Sequence, residues 1–412
     1  MLNDAWLTYQ VIKESCLLGK IRSICPVKNP TILKMRLICK DYAYGKFSID
    51  IIKSIYIAIN TPRNYEEMPP FWKNIIYKAD KLHLSGISKI DDASPFKNLK
   101  KLSLTYMDLK NINQLITVEN LSLNQMDQID DENILLFANN KRLKLSMLEN
   151  VTNIDCLGNV EILKLQFMRR LTSIKLEKVK YLQITHCINL TNIEPGPVQT
   201  LILNNVPIRN VNALKNVKKL HLINLKNLTN VNELHGVEIL RLVDLNITDV
   251  TGLGSIPCME IKNLRNITDV NCLRNVQKLG LIGLDIDDVS ELGNIKFLYI
   301  HDCPRVRDVS NLSNVESLSL SSLPNLRNID MLYTVKELSL IKLKIKNMDK
   351  LINDFGNYHK NAKLKIISNI MVDDDSNKTI YYPECITISP IFSSVKIDYR
   401  GMIHTFIKTS TF

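Results

Sequence analysis

The sequence lacks the short motifs that bind nucleotides or catalytic metal ions. It contains no G-x-x-x-x-G-K-[ST], no G-x-G-x-x-G, no H-E-x-x-H and no C-x-x-C. We propose no histidine, cysteine and aspartate as a catalytic set. We therefore expect a protein that is not an enzyme, with no catalytic residues, no metal site and no cofactor.

Long apolar runs and paired cysteine spacings are also missing. The longest apolar-rich stretch, residues 48–60, is too short and too interrupted to span a bilayer. Residues 1–15 show no basic leader followed by an apolar block, so we expect no secretory signal. The nine cysteines fit reduced thiols. These features predict a cytoplasmic protein without a membrane partner.

The positive charge is not clustered along the sequence. The formal net charge is +11 and the sequence pI is about 9.0, yet no run of lysine or arginine occurs. A basic chain makes nucleic acid or an acidic surface conceivable as a partner. The scattered charge argues against nucleic acid and favours an ordinary solvated surface.

A leucine-x-leucine pair recurs every 19 to 22 residues over most of the chain. Chance does not hold so narrow a period over so many units, so the pattern indicates a repeat array. A weaker pair, Leu364 and Ile366, follows the last regular one after 26 residues. The regular pairs begin at Leu82, Leu102, Leu121, Leu143, Leu163, Leu182, Leu201, Leu220, Leu240, Met259, Leu279, Leu298, Leu318 and Leu338.

Residues 220–239 show how one unit is built. Leu220 and Leu222 alternate with His221, which predicts a short strand. Apolar residues then come at every third position, from Leu225 to Val237, a period that suits tight 3₁₀-like corners rather than an α-helix. Each unit is therefore predicted to be one coil of a solenoid, with a short parallel strand on the concave face and a mostly non-helical return.

This pattern resembles leucine-rich repeat proteins over roughly residues 80–368. The letters NITDVTGL, DIDDVSEL and RVRDVSNL resemble the short bacterial internalin-type repeat. Two units, at 182–193 and 298–309, carry a cysteine after the strand, as in the repeats behind F-boxes of eukaryotic ubiquitin-ligase adaptors. The resemblance implies an α/β-type repeat solenoid of about 14–15 short units over residues 81–368.

The ends of the chain do not repeat. The segment MRLICKDYAYGKF resembles the last helix of an F-box, in which Met35, Leu37, Ile38 and Tyr42 would contact a cullin-ligase adaptor. F-box/leucine-rich repeat proteins, including ones predicted in giant DNA viruses, have a similar order. A helical cap over the first coil remains the alternative. We expect an F-box-like helical module at 1–50, a linker and N-terminal cap at 51–80, and a C-terminal cap at 369–412.

The most metal-like features are His186-Cys187 and His301-x-Cys303. They belong to coils six steps apart, about 29 Å at the spacing of adjacent strands, so they cannot share one ion. Both cysteines occupy a position where other units have leucine, so we interpret them as buried apolar side chains.

The outward residues of the strands are the candidate binding site for a protein partner. Arginine and tyrosine are frequent anchors of interfaces. The alternative is that these polar residues only keep the face soluble. The candidate residues are Lys144, Lys164, Gln183, Thr185, His221, Arg241, Glu260, Lys262, Tyr299 and His301.

The stretch NITDVNCLRNV at 266–276 could be mistaken for a functional motif. Asn-x-Thr recurs at 150, 189, 227, 246 and 266, and Asp269 and Cys272 could be ligands. Ile267, Val270 and Leu273 lie at steps of three, so we predict that the stretch is a return path and its polar residues form turns.

Overall fold

The computed structural model describes residues 56–59, 80–343, 348–359, 363–367 and 386–388. The chain divides into two compact units, Met1–Met259 and Glu260–Phe412, which we describe separately. The F-box-like segment at 1–50 lies outside the described residues, as do most of the two proposed caps.

Ten strands of the first unit form a ladder of parallel pairs, each with the next coil. Two further strands, β7 (Ser173–Lys175) and β9 (Asn192–Glu194), pair with each other in the returns. The ten ladder strands are β1 (Tyr56–Ile59), β2 (Lys81–Ser85), β3 (Lys101–Thr105), β4 (Asn120–Asn124), β5 (Arg142–Ser146), β6 (Ile162–Gln166), β8 (Tyr181–Thr185), β10 (Thr200–Asn204), β11 (Lys219–Ile223) and β12 (Ile239–Val243).

The strand register stacks equivalent leucines on one another. Leu143 pairs with Leu163, and Leu145 pairs with Leu165, and the second and fourth residues of the neighbouring strands align in the same way. These side chains are buried, and each contributes about 1.5–3 kcal/mol relative to an exposed one. The predicted leucine-rich repeat solenoid with short parallel strands is thereby confirmed.

The returns are built from 3₁₀ helices and turns, as the three-residue period predicted. Apolar residues such as Leu225, Leu228 and Val231 point inward and are buried. In the first unit the 3₁₀ helices are Ser94–Phe96, Ile112–Thr117, Asn133–Phe137, Asp155–Asn159, Asn212–Leu214 and Thr251–Leu253.

An aspartate or asparagine precedes many of these 3₁₀ helices and accepts a hydrogen bond from the amide two residues later. The Asp249 Oδ1 atom lies 2.9 Å from the Thr251 nitrogen, and the Asn153 Oδ1 atom lies 2.8 Å from the Asp155 nitrogen. These residues satisfy amides that the short helix leaves open.

Close packing of neighbouring returns explains one glycine. A Cβ atom on Gly252 would lie 2.5 Å from the carbonyl oxygen of Asn232 in the preceding coil. Any larger residue would therefore push the two returns apart.

The second unit repeats the same plan. The strand β13 (Cys258–Lys262) crosses the division between the units. From β14 onward each strand pairs in parallel with the next. These strands are β14 (Lys278–Ile282), β15 (Phe297–His301), β16 (Ser317–Ser321), β17 (Glu337–Ile341), β18 (Lys363–Ile367) and β19 (Ile386–Ile388). The 3₁₀ helices are Asn271–Leu273, Ser290–Asn294, Ser310–Asn314 and Asp330–Thr334.

One α-helix, α1 (Met348–Tyr358), fills the 26-residue step before β18. Its residues Leu351, Ile352 and Phe355 are buried, at the i, i+1 and i+4 positions of one apolar face. This helix was not predicted from the sequence, although the spacing of these three apolar residues is helical.

The strand ladders extend beyond the regular repeats at both ends of the described chain. Ile57 and Ile59 of β1 pair with Leu82 and Leu84, one coil before the first leucine-x-leucine pair. In the second unit β19 pairs with β18, so Ile386 aligns with Leu364. Isoleucine in place of leucine and irregular spacing hid both strands from the repeat pattern.

Candidate functional site

The outward residues of β2–β6, β8 and β10–β12 form what we call the first strand face. On each five-residue strand these are the first, third and fifth positions, because the second and fourth point into the core. Among the predicted site residues Lys144 and Lys164 are exposed, whereas Gln183, Thr185 and Arg241 are half-buried.

His221 is the predicted site residue that presents least surface. It lies on the outward face, but its side chain is only 5% exposed. Its cross-strand neighbours are the long side chains of Ile202 and Arg241. A residue covered in this way offers little area to a partner.

The first strand face carries basic residues and no aspartate or glutamate at its outward positions. Burial lowers the pKa of His83, so this imidazole adds no charge at neutral pH. This asymmetry is not apparent in the sequence, because the basic residues are scattered along the chain and are brought together only by the strand register. They are Lys81, Lys101, Arg142, Lys144, Lys164, Lys219 and Arg241.

The residues just before the strands form a different, self-neutralising ladder. From β2 to β8, acidic and basic residues alternate there from coil to coil, in ion pairs such as Lys100 to Asp80 at 2.8 Å and Lys141 to Glu119 at 3.2 Å. Lys180 pairs in the same way with Glu161 at 3.2 Å. The acidic partners thus lie beside the first strand face and are matched with other lysines.

The residue after each strand of the first strand face has a left-handed backbone. Glycine or asparagine suits this conformation, yet the positions after β3, β5 and β6 hold Tyr106, Met147 and Phe167, with φ between 51° and 53°. Tyr106 is 61% exposed, and the Phe167 ring stacks on His186 with centroids 4.9 Å apart. These side chains form a ridge at the carboxyl ends of the strands.

A shallow polar cavity of about 320 Å³ lies on the first strand face between β2 and β6. Its walls include Lys144 and two members of the ridge, Met147 and Phe167. Small hydroxyl and amide side chains, Ser103, Ser122, Asn124 and Ser146, supply polar groups across it. Such a surface can bind a polar ligand.

The outward residues of the second unit, from Glu260 of β13 onward, form what we call the second strand face. Its side chains are less uniformly basic than those of the first strand face. Here the predicted residues Glu260, Lys262, Tyr299 and His301 are half-buried. The rings of Tyr299 and His301 stack with centroids 5.8 Å apart, and burial raises the pKa of Tyr299. This face mixes acidic, basic and aromatic side chains.

The described cysteines and acidic residues do not form a cluster of metal ligands. In the described part of the chain no three His, Cys, Asp or Glu residues are grouped so as to hold a metal ion. Cys187 and Cys303 are fully buried, as predicted, and burial raises the pKa of each thiol to about 11. Such thiols are inert packing groups rather than nucleophiles.

The stretch at 266–276 is a return, as the spacing predicted. Ile267, Val270 and Leu273 are buried, and Asp269 accepts a hydrogen bond from the Asn271 amide at 2.8 Å. In the equivalent sequons Asn150 and Asn189 donate to carbonyls of the preceding coil. The hydrogen bond from Asn150 Nδ2 to the Asp127 carbonyl oxygen is 2.7 Å long, and that from Asn189 Nδ2 to the Arg169 carbonyl oxygen is also 2.7 Å long.

The remaining predicted site lies outside the described residues. Met35, Leu37, Ile38 and Tyr42, the F-box-like positions, have no described structure. Within the described ranges, no helix has the length and apolar character needed to cross a bilayer.

No family model and no curated protein matches the chain. Among solved structures, it is similar to an internalin of Listeria monocytogenes, InlF, with 16% identity and a TM-score of 0.38. That match covers 86% of this chain and 94% of the internalin. A leucine-rich repeat protein of Leptospira interrogans is 17% identical, covering 70% of this chain and 89% of its own, with a TM-score of 0.41.

A third similar structure is the functional domain of InlJ from Listeria monocytogenes. It is 15% identical, covers 69% of this chain and 73% of its own, and has a TM-score of 0.36. The leucine-rich repeat fold of this chain rests on its own strand register and stacked leucines.

Proposed function

We propose that the chain is a non-enzymatic interaction protein that binds a protein partner on its strand faces. The observation that supports this proposal is the first strand face, where exposed Lys144 and Lys164 adjoin a shallow polar cavity. Solenoids of this kind present such faces as extended binding surfaces. The second strand face adds Tyr299, a residue type enriched at interfaces.

Affinity capture followed by mass spectrometry tests the proposal with variants in each unit. Gln183→Glu on the first strand face is compared with Asn216→Glu on a return of the same unit. Ser319→Glu on the second strand face is compared with Asn275→Glu on a return. We expect at least one strand-face variant to lose a partner that the full chain and both return variants retain. Equal capture by all five proteins would contradict the proposal.

A finer proposal assigns the N-terminal segment to a cullin-type ubiquitin ligase. The support is the sequence MRLICKDYAYGKF, in which Leu37, Ile38 and Tyr42 resemble the end of an F-box. The protein would then be a cytoplasmic substrate-recognition adaptor. Co-purification of a cullin adaptor with the full chain, and its loss from a Leu37→Asp/Ile38→Asp variant, is the expected result. Its absence from captures by the full chain would overturn this role.

The alternative is a binding module or effector in which residues 1–80 only cap the array. A cap shields apolar surface of the first coil, so its removal should unfold or aggregate the protein. Removal of an independent F-box at 1–50 should leave the melting temperature of the array unchanged. The melting temperature of a 51–412 protein therefore separates the two proposals.

A further inference from the structure

We infer that the first strand face binds an extended acidic segment of a protein partner. This inference rests on the proposed function and names the chemistry of the partner. The charges that support it are those of Lys81, Arg142, Lys144 and Lys164. Within the described residues none of these four forms an ion pair.

The register brings two of these charges together. Lys144 of β5 and Lys164 of β6 are direct cross-strand partners, so their Cα atoms are about 4.8 Å apart. Arg142 lies on the same face of β5, two residues before Lys144. Like charges at this spacing repel each other, and an anionic ligand across β5 and β6 would relieve the repulsion.

The nearest acidic residues do not offset these charges. Glu119 and Glu161 lie one residue before β4 and β6. They form ion pairs with Lys141 and Lys180 in the self-neutralising ladder at the edge of the face. The first strand face therefore keeps a positive surplus beside a neutral edge. An acidic ligand is the complement of such a surface.

The cavity supplies hydrogen bonds as well as charge. Ser103 and Ser122 lie side by side on β3 and β4, and Ser122 lies beside Lys144 of β5 in the same row. Their hydroxyl groups can donate to carboxylate oxygens or to peptide carbonyls. The row thus combines a cation with neutral donors along one line across the strands.

The dimensions and the aromatic rings favour a peptide over nucleic acid. The five strands β2–β6 span about 19 Å, the length of about six residues of extended peptide. Single-stranded nucleic acid is bound by stacking bases on open aromatic rings. Here the Phe167 ring already stacks on His186, and the Tyr181 ring lies beneath the Lys164 ammonium group at 5.5 Å. Tyr106 is exposed, but a single open ring at the end of β3 does not provide the successive stacking platforms that a strand of bases uses.

The experiment is fluorescence anisotropy of the full chain with a labelled decapeptide of alternating Glu and Ser. We expect it to bind more tightly than the decapeptide with Gln in place of Glu, and to weaken as salt is raised. Lys144→Gln/Lys164→Gln should weaken binding about three- to tenfold. The matched control, Lys97→Gln/Lys178→Gln, removes the same charge from exposed positions in the returns and should bind like the unaltered chain.

Equal binding of the two peptides, or equal losses in the two lysine variants, would overturn the inference. Tighter binding of a labelled oligothymidylate, weakened by Lys144→Gln/Lys164→Gln, would replace the acidic peptide with nucleic acid and also overturn it. If neither anionic probe binds but Gln183→Glu still loses a captured partner, the acidic-ligand inference fails and the proposed function stands. If capture is also unaffected by Gln183→Glu and Ser319→Glu, both fail.

Discussion

Lys144 and Lys164 lie directly opposite each other on adjacent parallel strands, with no ion pair to either within the described residues. Like charges in this position lower stability by about 0.2–1 kcal/mol. Selection for stability alone does not favour such a pair. Their presence is the feature that connects the fold to the proposed acidic partner.

Removing this repulsion is predicted to preserve or raise stability. Lys144→Gln/Lys164→Gln should leave the free energy of unfolding unchanged or raise it by up to about 1 kcal/mol, measured by urea titration. Lys97→Gln/Lys178→Gln is the control and should change it by less than about 0.5 kcal/mol. A clear loss of stability in the first variant alone would mean that the two lysines stabilise the fold through contacts that the charges do not explain.

The buried Asn140 side chain is predicted to be important for stability. It is 2% exposed, and its Nδ2 atom donates to carbonyls around the end of a 3₁₀ helix, including that of Val118 at 2.8 Å. Asn140→Ala removes these buried hydrogen bonds and should cost about 1–3 kcal/mol of unfolding free energy. Asn139→Ala, at the exposed neighbouring position, should cost less than about 0.5 kcal/mol. Similar losses in both variants would show that the hydrogen bonds of Asn140 contribute little.

The aspartates that precede 3₁₀ helices are predicted to make stability depend on acid pH. The Thr251 amide, the largest cause, lowers the pKa of Asp249, and the Ser290 amide lowers that of Asp288. A depressed pKa in the folded protein stabilises it above the ordinary aspartate pKa of about 3.9. This contribution is lost as the pH falls from there through the folded value.

A pair of variants at Asp249 separates charge from hydrogen bonding. Asp249→Asn keeps an acceptor, as Asn230 does at the equivalent position, and should retain most of the stability at pH 7 while reducing its fall below pH 4. Asp249→Ala loses the acceptor and should cost about 1 kcal/mol at pH 7. Asp108→Asn, at an exposed position, is the control. An unchanged acid profile in Asp249→Asn would exclude Asp249 as a source of the pH dependence.

The two fully buried cysteines are predicted to resist alkylation. Cys187 and Cys303, each with a pKa raised to about 11, hold only about 0.1% of the reactive thiolate at pH 8. Among the described cysteines, the half-buried Cys156, Cys258 and Cys272 should react with iodoacetamide in the folded protein before Cys187 and Cys303. Peptide mass spectrometry with and without denaturant measures this order. Rapid labelling of Cys187 or Cys303 without denaturant would contradict their packing role.

The sequence was sufficient to predict the coil, because inward residues obey strict steps. Leu220 and Leu222 alternate with a polar residue, and Leu225, Leu228 and Val231 follow at steps of three. Both periodicities are local, so they are visible in the sequence without knowledge of the fold. The same logic placed Cys187 and Cys303 in the core, since each replaces a leucine of the pattern.

The helix α1 and the outer strands were missed for a different reason. They lie where the repeat length departs from 19 to 22 residues, and a search for that one period does not detect segments with a different spacing. The apolar spacing of Leu351, Ile352 and Phe355 gave a local signal for the helix. β1 and β19 carry a short alternation of isoleucines, but their place in the ladder depends on pairing with Leu82 and Leu364.

The basic charge of the first strand face could be recognised only from the strand register, not from the sequence alone. Lys144 and Lys164 are twenty residues apart in the sequence, and acidic residues lie between them. Only the stacking of coils places the two lysines side by side and moves Glu161 to the edge. The burial of His221 likewise depends on its neighbours Ile202 and Arg241, which a single coil does not reveal.

The most direct measurement is photo-crosslinking of the bound partner from single positions of the first unit. Benzoylphenylalanine is introduced in place of Gln183 on the first strand face, or in place of Asn216 on a return. The captured partner should crosslink from position 183 and not from position 216. Crosslinking from position 216, with none from 183, would contradict the claim that the strand face holds the partner.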